Sequence, residues 1–277
     1  MLSVALALGA GIAWGCSDFL AGLKTRRLAV LWVLLVSQGT GLALVLLAAL
    51  TLGHGLPGGQ AALIAAGAGV AELIGFAALY RALAVGTMSV VAPLSATAAL
   101  LPVVVSVSTG NAPTAAQGAG IALALGGAAL ASLEPGSGGG RKAVAGAGLA
   151  LVAALGFGTF FVGMDLAADE GALWAVALNR AAAVALLVAI VLALRPGRLE
   201  RSAFAPLVAV GALDIAANTM FAIALTLGMA AIVSVLGSLY PLATVVLARA
   251  ILHEQLCGMQ RTGVVAALAG IGLVSLA

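Results

Sequence analysis

The chain has 277 residues, of which 64% are hydrophobic and only 8% are charged. Soluble globular domains carry about 25% charged residues, so this composition excludes an ordinary soluble domain. The 12 Lys and Arg residues exceed the 9 Asp and Glu residues by too little to indicate nucleic-acid binding. Nearly every stretch between turn signals is an apolar run of about 20 residues, which is the length that crosses a bilayer. We therefore predict an integral membrane protein surrounded by a lipid bilayer.

Turn residues and charges divide the chain into ten predicted spans, numbered in chain order. Long Ala, Leu and Val runs without two-residue alternation favour helices over a β-barrel. The first span lacks a preceding basic segment and contains Trp14 and Asp18, so we interpret it as a retained helix. The spans are predicted at residues 2–23, 29–52, 61–84, 87–108, 115–133, 143–166, 172–194, 203–227, 229–250 and 259–277.

The two halves of the chain look like copies of each other. A shift of 142 residues places Glu72 of span 3 onto Asp214 of span 8. We predict a first five-helix repeat over 1–134, a Gly-rich basic linker over 135–142 and a second five-helix repeat over 143–277. An odd number of spans per half inverts the second copy, which is a common plan among secondary transporters. The predicted fold class is an all-α integral membrane protein with ten transmembrane helices in two inverted repeats.

Glycines recur at seven-residue spacing in spans 5 and 10. Gly120 and Gly127 match Gly263 and Gly270 at an offset of 143 residues. Each pair lies on one helix face, where another backbone can approach closely. We expect these two spans to pack tightly, either against each other or in a dimer, and a lipid-facing role is the alternative. Both a monomer and a homodimer remain open.

Lys and Arg residues are confined to one set of loops. The loops after odd-numbered spans hold or border 11 of the 12 cations, and the other loops and both termini hold none. The positive-inside rule then places the odd loops in the cytoplasm and both termini outside. The predicted location is the plasma (inner) membrane, with several passes through it. The remaining cation, Arg180, lies within span 7.

Glu72 and Asp214 are the first candidates for a functional site, because each lies near the middle of an apolar span. An ionisable group inside a bilayer is expensive and is a functional-site hypothesis by default. Such a carboxyl can exchange a proton for a substrate or bind a substrate ammonium group. Asn218 follows Asp214 by one helical turn and could share a ligand or a hydrogen bond with it. The alternative for both acids is a protonated carboxyl bonded to a neighbouring helix.

Two further charged residues lie inside predicted spans. Asp18 follows Trp14 by one turn in span 1, and it either lines a polar site or pairs with the basic loop after that span. Arg180 lies two turns inside span 7, too deep for its side chain to reach the interface easily. It either pairs with an acid such as Asp165 or contacts an anionic group of the substrate.

Prolines interrupt two spans at similar places in the two halves: Pro93 and Pro102 in span 4, and Pro241 in span 9. Each proline removes a helical hydrogen bond, so we predict bending elements for alternating access. Tyr240 and Ser238, beside Pro241, are candidate cavity groups. Ordinary helix packing is the alternative for all of these residues.

Signatures of enzymes are missing from the sequence. His253-Glu254 lacks the second His of an H-E-x-x-H motif, and neither a Walker motif nor G-x-S-x-G occurs. The sequence also has no Cys and His cluster with the spacing of a metal site. We therefore expect no enzyme activity, no cofactor and no metal, and the expected partner is a small-molecule substrate.

Several segments resemble EamA-type transporters of the drug/metabolite transporter superfamily. The resemblance spans both halves and implies ten helices, a central cavity between the halves and movement of small metabolites, often amino-acid export. Two features depart from the family: Gly110-Asn111 stands where a Gly-Glu is usual, and the charge pattern predicts the opposite orientation of the termini. The matching segments are 13–19 (A-W-G-C-S-D-F), 80–83 (Y-R-A-L), 91–94 (V-A-P-L), 238–241 (S-L-Y-P) and 252–254 (L-H-E).

These observations predict a secondary transporter of small metabolites that works by alternating access around a central cavity. Amino acids are the leading substrate class, and export is the direction that the resemblance implies. A multidrug exporter is one alternative, although 3 Trp, 2 Tyr and 7 Phe are few for its usual aromatic cavity. A second alternative is a membrane-embedded enzyme acting on a lipid, with Asp18 or Glu72 as general base. A third is a membrane subunit without transport activity.

Overall fold

All regular secondary structure in the described part of the chain is helical. The structure is a computed structural model, and six of its helices are long and apolar enough to cross a membrane. The prediction of an all-α membrane protein is confirmed at this level. The residues that the structure describes are 1–25, 28–52, 55–85, 95, 97–131, 141–195, 199–252 and 258–276.

The predicted spans agree with the observed helices to within two residues at each described end of spans 1–3, 5–8 and 10. Helices α1, α2, α3, α6, α7 and α8 are the six long ones. A 3-10 turn at Thr97–Ala99 precedes α4. The helices are α1 Leu2–Thr25, α2 Val30–Thr51, α3 Gly59–Val85, α4 Leu100–Ser108, α5 Ala115–Ala131, α6 Arg141–Ala168, α7 Ala172–Leu194, α8 Arg201–Leu227, α9 Ala230–Gly237, α10 Tyr240–Leu252 and α11 Gly258–Leu276.

The segment expected to link the halves is shorter than 135–142, because Arg141 and Lys142 already belong to α6. A helix-forming Ala-rich run follows these two cations directly, so the helix can start on them. The rest of the expected linker lies outside the described residues.

Small residues set the distance between α3 and α6. A Cβ atom added to Gly156 of α6 would lie 2.6 Å from the carbonyl oxygen of Ala71 and 2.8 Å from the Cα of Gly75. One added to Gly163 would lie 2.8 Å from the Cβ of Ala68. Membrane helices associate through van der Waals contact because lipid offers no hydrophobic driving force between them. The close approach of α3 and α6 therefore depends on the missing side chains.

Helices α5 and α11 pack against each other through the repeated glycines. A Cβ atom on Gly120 would lie 3.0 Å from the carbonyl oxygen of Gly270, and one on Gly127 would lie 2.6 Å from that of Gly263. The expectation that spans 5 and 10 pack against each other is confirmed. The four glycines share one interface within the chain, which explains why they recur at two-turn spacing.

The loops sort to two ends of the bundle. At one end, the backbone N–H of Gly58, after α2, donates to the carboxylate of Glu170, after α6, at 2.6 Å. At the other end, Ala21 of α1, Val33 of α2 and Leu207 of α8 form one apolar cluster close to the basic loops. Successive long helices therefore run in opposite directions, and the ends of α1 and α7, which carry Lys24 and Arg195, lie at a common end of the bundle.

Predicted span 9 is two helices, not one. The N–H of Ser238 donates to the carbonyl of Ser234 at 2.9 Å and ends α9, and Tyr240 begins α10. Pro241 has no N–H with which to continue the helical ladder to Gly237, so the interruption falls just before it. Helix α8 also contains a proline, Pro206, which was not among the predicted bending positions.

The prediction of bending positions in span 4 concerned two prolines, Pro102 and Pro93. Pro102 lies in the first turn of α4, where a helical N–H has no intrahelical acceptor, so it does not break that helix. It follows the 3-10 turn directly, and the change of helix type lies before it. Pro93 lies outside the described residues.

The adjacent glycines of α5 provide a matched test of the α5–α11 interface. Gly127→Ala should lower the free energy of unfolding by roughly 1–3 kcal/mol, because its methyl group meets backbone that cannot move away. Gly126 has nothing within 4 Å of its Cβ position, so Gly126→Ala should leave stability unchanged or slightly higher. Thermal unfolding of both variants in detergent measures the difference. Equal stability of the two variants would contradict the interface described here.

Candidate functional site

A buried arginine lies between the two repeat-related carboxylates. Arg180 is fully buried, and Glu72 and Asp214 are only 3% and 6% exposed. The Nη1 atom of Arg180 lies 3.3 Å from Oε2 of Glu72, and its Nη2 atom lies 2.9 Å from Oδ2 of Asp214. A charge in a low-dielectric interior needs a close partner of opposite sign. One guanidinium supplies that partner to both acids.

Amide side chains complete the cluster. Gln38 of α2 accepts a hydrogen bond from Nη1 of Arg180 through its side-chain oxygen. Oε1 of Glu72 accepts a second bond from Nη2 at 3.3 Å. The side chain of Asn218 donates to the carbonyl of Asp214 at 3.0 Å and lies 3.5 Å from the Asp214 carboxylate. The predicted link between Asn218 and Asp214 is therefore present, and the cluster joins helices α2, α3, α7 and α8.

Arg180 pairs with acids, which was one of the two predicted alternatives, but Asp165, the acid named as an example, is not one of them. Arg180 pairs with Glu72 and Asp214, and Asp165 is a partly exposed residue near the end of α6. Proximity along the α6–α7 hairpin suggested Asp165, but the face of α7 that carries Arg180 packs against α2, α3 and α8. Its two terminal nitrogens are occupied by protein groups, so in this arrangement they do not face the cavities described below.

Glycines one turn before each acid bring the helices close enough for this cluster. A Cβ atom on Gly69 would overlap the backbone of Asn179 in α7, next to Arg180. A Cβ atom on Gly211 would overlap the backbone of Ser37 in α2, next to Gln38. Positions i and i+3 share a helix face. Each glycine therefore lets the neighbouring helix come close to the acid that lies three residues after it.

The same offset of 142 residues relates every part of this arrangement. It aligns Gly69 with Gly211, Glu72 with Asp214, and the pair Ser37-Gln38 with Asn179-Arg180. Only the match between the acids was predicted from the sequence, and the other two matches were missed. A search for polar residues inside apolar spans at the same offset could have found them, because Gln38 is the single amide in span 2.

An aromatic cavity lies beside Glu72. It has about 470 Å³ of space between protein atoms, part of which is open to solvent. The indole of Trp14 lies 6.1 Å from the ring of Phe161 and 6.4 Å from that of Phe160, measured between centroids. We call this space the aromatic cavity, and its lining includes Trp14, Asp18, Glu72, Phe76, Phe157, Phe160, Phe161, Ser238 and Tyr240.

A second, more polar cavity lies beside Asp214 and has about 280 Å³ of empty space. We call it the polar cavity. Asp18 and Phe76 line both cavities, so they stand where the two spaces adjoin. The lining of the polar cavity includes Ser17, Asp18, Ser37, Gln38, Phe76, Tyr80 and Asp214.

Most of the candidate residues from the sequence meet in this region. Trp14, Asp18, Glu72, Ser238 and Tyr240 line the aromatic cavity. No ion pair joins Asp18 to a cation within the described ranges, so its cavity position is favoured over a boundary role. The hydroxyl of Ser238 donates to the carbonyl of Val235 at 2.8 Å and keeps its oxygen as an acceptor.

Sequence reasoning missed four aromatic residues of the cavity: Phe76 of α3 and Phe157, Phe160 and Phe161 of α6. The last three follow one another at helical spacing, so their rings lie on one side of that helix. Phe rings in an apolar span do not stand out from lipid-facing residues by composition. Their role depends on the packing of α6 against α3 and α4, which the sequence does not specify.

The buried cluster predicts a distinctive stability pattern. Arg180→Met should lower the free energy of unfolding by about 3–5 kcal/mol, because two buried carboxylates lose their cation. The triple variant Arg180→Met, Glu72→Gln, Asp214→Asn should recover most of that loss, because no charge remains uncompensated. Denaturant unfolding in detergent measures both. Arg201→Met, at an exposed position, is the control and should change little.

A triple variant as unstable as Arg180→Met alone would show that the guanidinium contributes through packing and not through its charge.

Comparison with known proteins agrees with this description. Residues 144–276 match the model of the EamA-like transporter family. A search of curated proteins gave no match. A crystal structure of another protein superposes with a TM-score of 0.81 and 20% sequence identity, over 99% of this chain and 97% of the other. At that identity the likeness shows a shared fold alone. The second half of this chain is thus similar to EamA-like transporters, and its whole length has the fold of a solved protein.

Proposed function

We propose that the whole chain is an EamA-like secondary transporter that moves small organic molecules across a membrane by alternating access. The observation that carries this proposal is the Arg180 cluster, which joins the two repeat-related acids next to two cavities in a membrane-spanning bundle. Ionisable groups at membrane depth mark substrate or ion pathways. The match of residues 144–276 to a transporter family supports the same conclusion.

In this proposal the halves 1–134 and 143–277 are inverted repeats. Helix pairing supports a two-fold relation, because the most extensively packed pairs have counterparts: α3–α6 corresponds to α8–α1, and α3–α7 corresponds to α8–α2. The pairs α5–α11 and α2–α7 correspond to themselves. The proposed ten transmembrane helices include span 4 as one helix, part of which lies outside the described residues. They also include α9 and α10 together as the one helix of span 9. Such repeats place substrate sites at their interface, near the middle of the bilayer.

The aromatic cavity is the proposed substrate site, with Trp14, Asp18, Glu72, Ser238 and Tyr240 as contact residues. Glu72 and Asp214 are the proposed proton-coupling groups. Arg180 and Asn218 hold them in place, as the ion pairs and hydrogen bonds of the cluster support. When a proton or a substrate neutralises an acid, Arg180 loses part of its attraction to that acid, and the halves can separate there.

The interrupted spans are proposed as the bending elements. Pro241 follows the break between α9 and α10, and Pro102 follows the 3-10 turn before α4, so both regions lack a continuous ladder. Ser238 lies at the break and lines the aromatic cavity. Bending there would change the cavity wall directly. Pro93 is proposed for the same role from the sequence.

The proposed location is the plasma (inner) membrane, with the basic loops in the cytoplasm and both termini outside. The gathering of the loops after α1 and α7 at one end of the bundle supports a single basic face. Amino acids and export are the substrate class and direction that the family resemblance implies. A multidrug exporter is a second candidate, because six of the chain's 3 Trp, 2 Tyr and 7 Phe line the aromatic cavity.

Counterflow in proteoliposomes tests the proposal. Vesicles loaded with a mixture of amino acids, amines and sugars should accumulate a labelled member of the mixture above protein-free vesicles. Flux with one solute class identifies the substrate class. Absence of flux for every class, from protein shown to be folded, would overturn the proposal and favour a lipid-modifying enzyme or a subunit without transport activity.

Asp214→Asn tests the proton-coupling role. The amide cannot carry the proton that the carboxyl carries, so flux through this variant should lose its dependence on pH, while the protein stays folded. Asp169→Asn, which changes an exposed acid outside both cavities, is the control and should keep the pH dependence of the natural chain. An unchanged pH profile in Asp214→Asn would remove Asp214 from the coupling mechanism.

A further inference from the structure

We infer that the aromatic cavity binds a monovalent organic cation with a flat apolar body, in preference to a zwitterion or an anion. This inference rests on the proposed function, because it names the substrate class of the same site. It departs from the amino-acid class that the family resemblance implies, and three features of the cavity carry it.

The first feature is the charge that faces the cavity. Asp18 and Glu72 line it, and no Lys or Arg of the described residues does. Arg180 lies behind Glu72, and its terminal nitrogens are bonded to Gln38, Glu72 and Asp214. The carboxylate of a zwitterionic substrate is bound most strongly by a positively charged side chain such as Arg or Lys. The cavity offers carboxylates that can bind a cation, and among the described residues it offers no positively charged side chain that can bind a carboxylate.

The charge balance of the region points the same way. Three carboxylates, those of Asp18, Glu72 and Asp214, line the cavities, and Arg180 carries the one buried guanidinium among the described residues. Arg180 pairs with Glu72 and Asp214, and within the described residues no cation pairs with Asp18. An uncompensated carboxylate in a low-dielectric interior is unfavourable. An entering cation would supply the charge that Arg180 alone cannot supply to three acids.

The third feature is the aromatic part of the cavity lining. The rings of Trp14, Phe157, Phe160 and Phe161 line the same cavity as Asp18. Aromatic faces attract cations through the ring quadrupole, most strongly when water is excluded, and they stack on flat apolar groups. The close spacing of Phe76 and Phe157, with centroids 5.1 Å apart in an edge-to-face arrangement, holds part of this wall in place. Acids and aromatic rings in the lining of one cavity fit an aromatic cation.

The experiment uses labelled N-methyl-4-phenylpyridinium, a flat ion whose charge does not depend on pH. Its equilibrium binding to the purified full chain in detergent should be saturable and should not be competed by phenylalanine or benzoate. Asp18→Asn should weaken binding at least about tenfold, because a charge-assisted contact is lost. Asp18 forms no ion pair with Arg180, so this variant spares the ion pairs that stabilise the fold. Asp169→Asn should bind like the natural chain.

The outcomes separate the substrate class from transport itself. No saturable binding of the cation by folded protein, or binding that Asp18→Asn leaves unchanged, overturns the inference. Counterflow of phenylalanine that the cation does not inhibit also overturns it, and leaves the proposed transporter function intact. Binding of the cation that depends on Asp18, without flux of any solute, supports the inference and contradicts the proposed function.

Discussion

The pairing of charge inside a low-dielectric bundle is the constraint on which the rest of the molecule depends. Arg180, Glu72 and Asp214 are all buried, and each would be unfavourable without the others. Their contacts join four helices, so the relative positions of α2, α3, α7 and α8 follow from where one guanidinium can reach two carboxylates and one amide. Glu72 lines the aromatic cavity, and Gln38 and Asp214 line the polar cavity, so anything that neutralises an acid from a cavity acts on the contacts between the helices.

Glycine makes this arrangement possible. Lipid gives helices no hydrophobic reason to associate, so close backbone contact and polar bonds must supply the attraction. Gly69 and Gly211 bring α7 and α2 close to the two acids, and Gly156 does the same for α6 on α3. Gly69 and Gly211 are separated by the same number of residues as the two acids. This pattern is expected when one ancestral helix contact has been duplicated.

The sequence predicts the helices well, because apolar length and turn residues decide where a membrane helix begins and ends. It also identifies Glu72, Asp214, Asp18 and Arg180, because charge stands out in apolar spans. It does not predict which acid Arg180 contacts, since the rotation of α7 is set by packing against α2 and α3. The roles of Phe160 and Phe161 were missed for a similar reason: a buried ring and a lipid-facing ring look alike in sequence. The break before Tyr240 was predicted as a bend at Pro241, because the missing N–H is a local property.

The central claim is that the aromatic cavity opens alternately to the two sides of the membrane. The most direct test is the accessibility of Ala98→Cys, which lines that cavity, in a chain whose Cys16 and Cys257 are replaced by Ser. Ala124→Cys, buried between α5 and α11, is the control. An impermeant maleimide should label Ala98→Cys from either side of oriented vesicles, with a ratio that a bound solute changes, and should not label the control. Labelling of Ala98→Cys from one side only, at every solute concentration, would contradict alternating access.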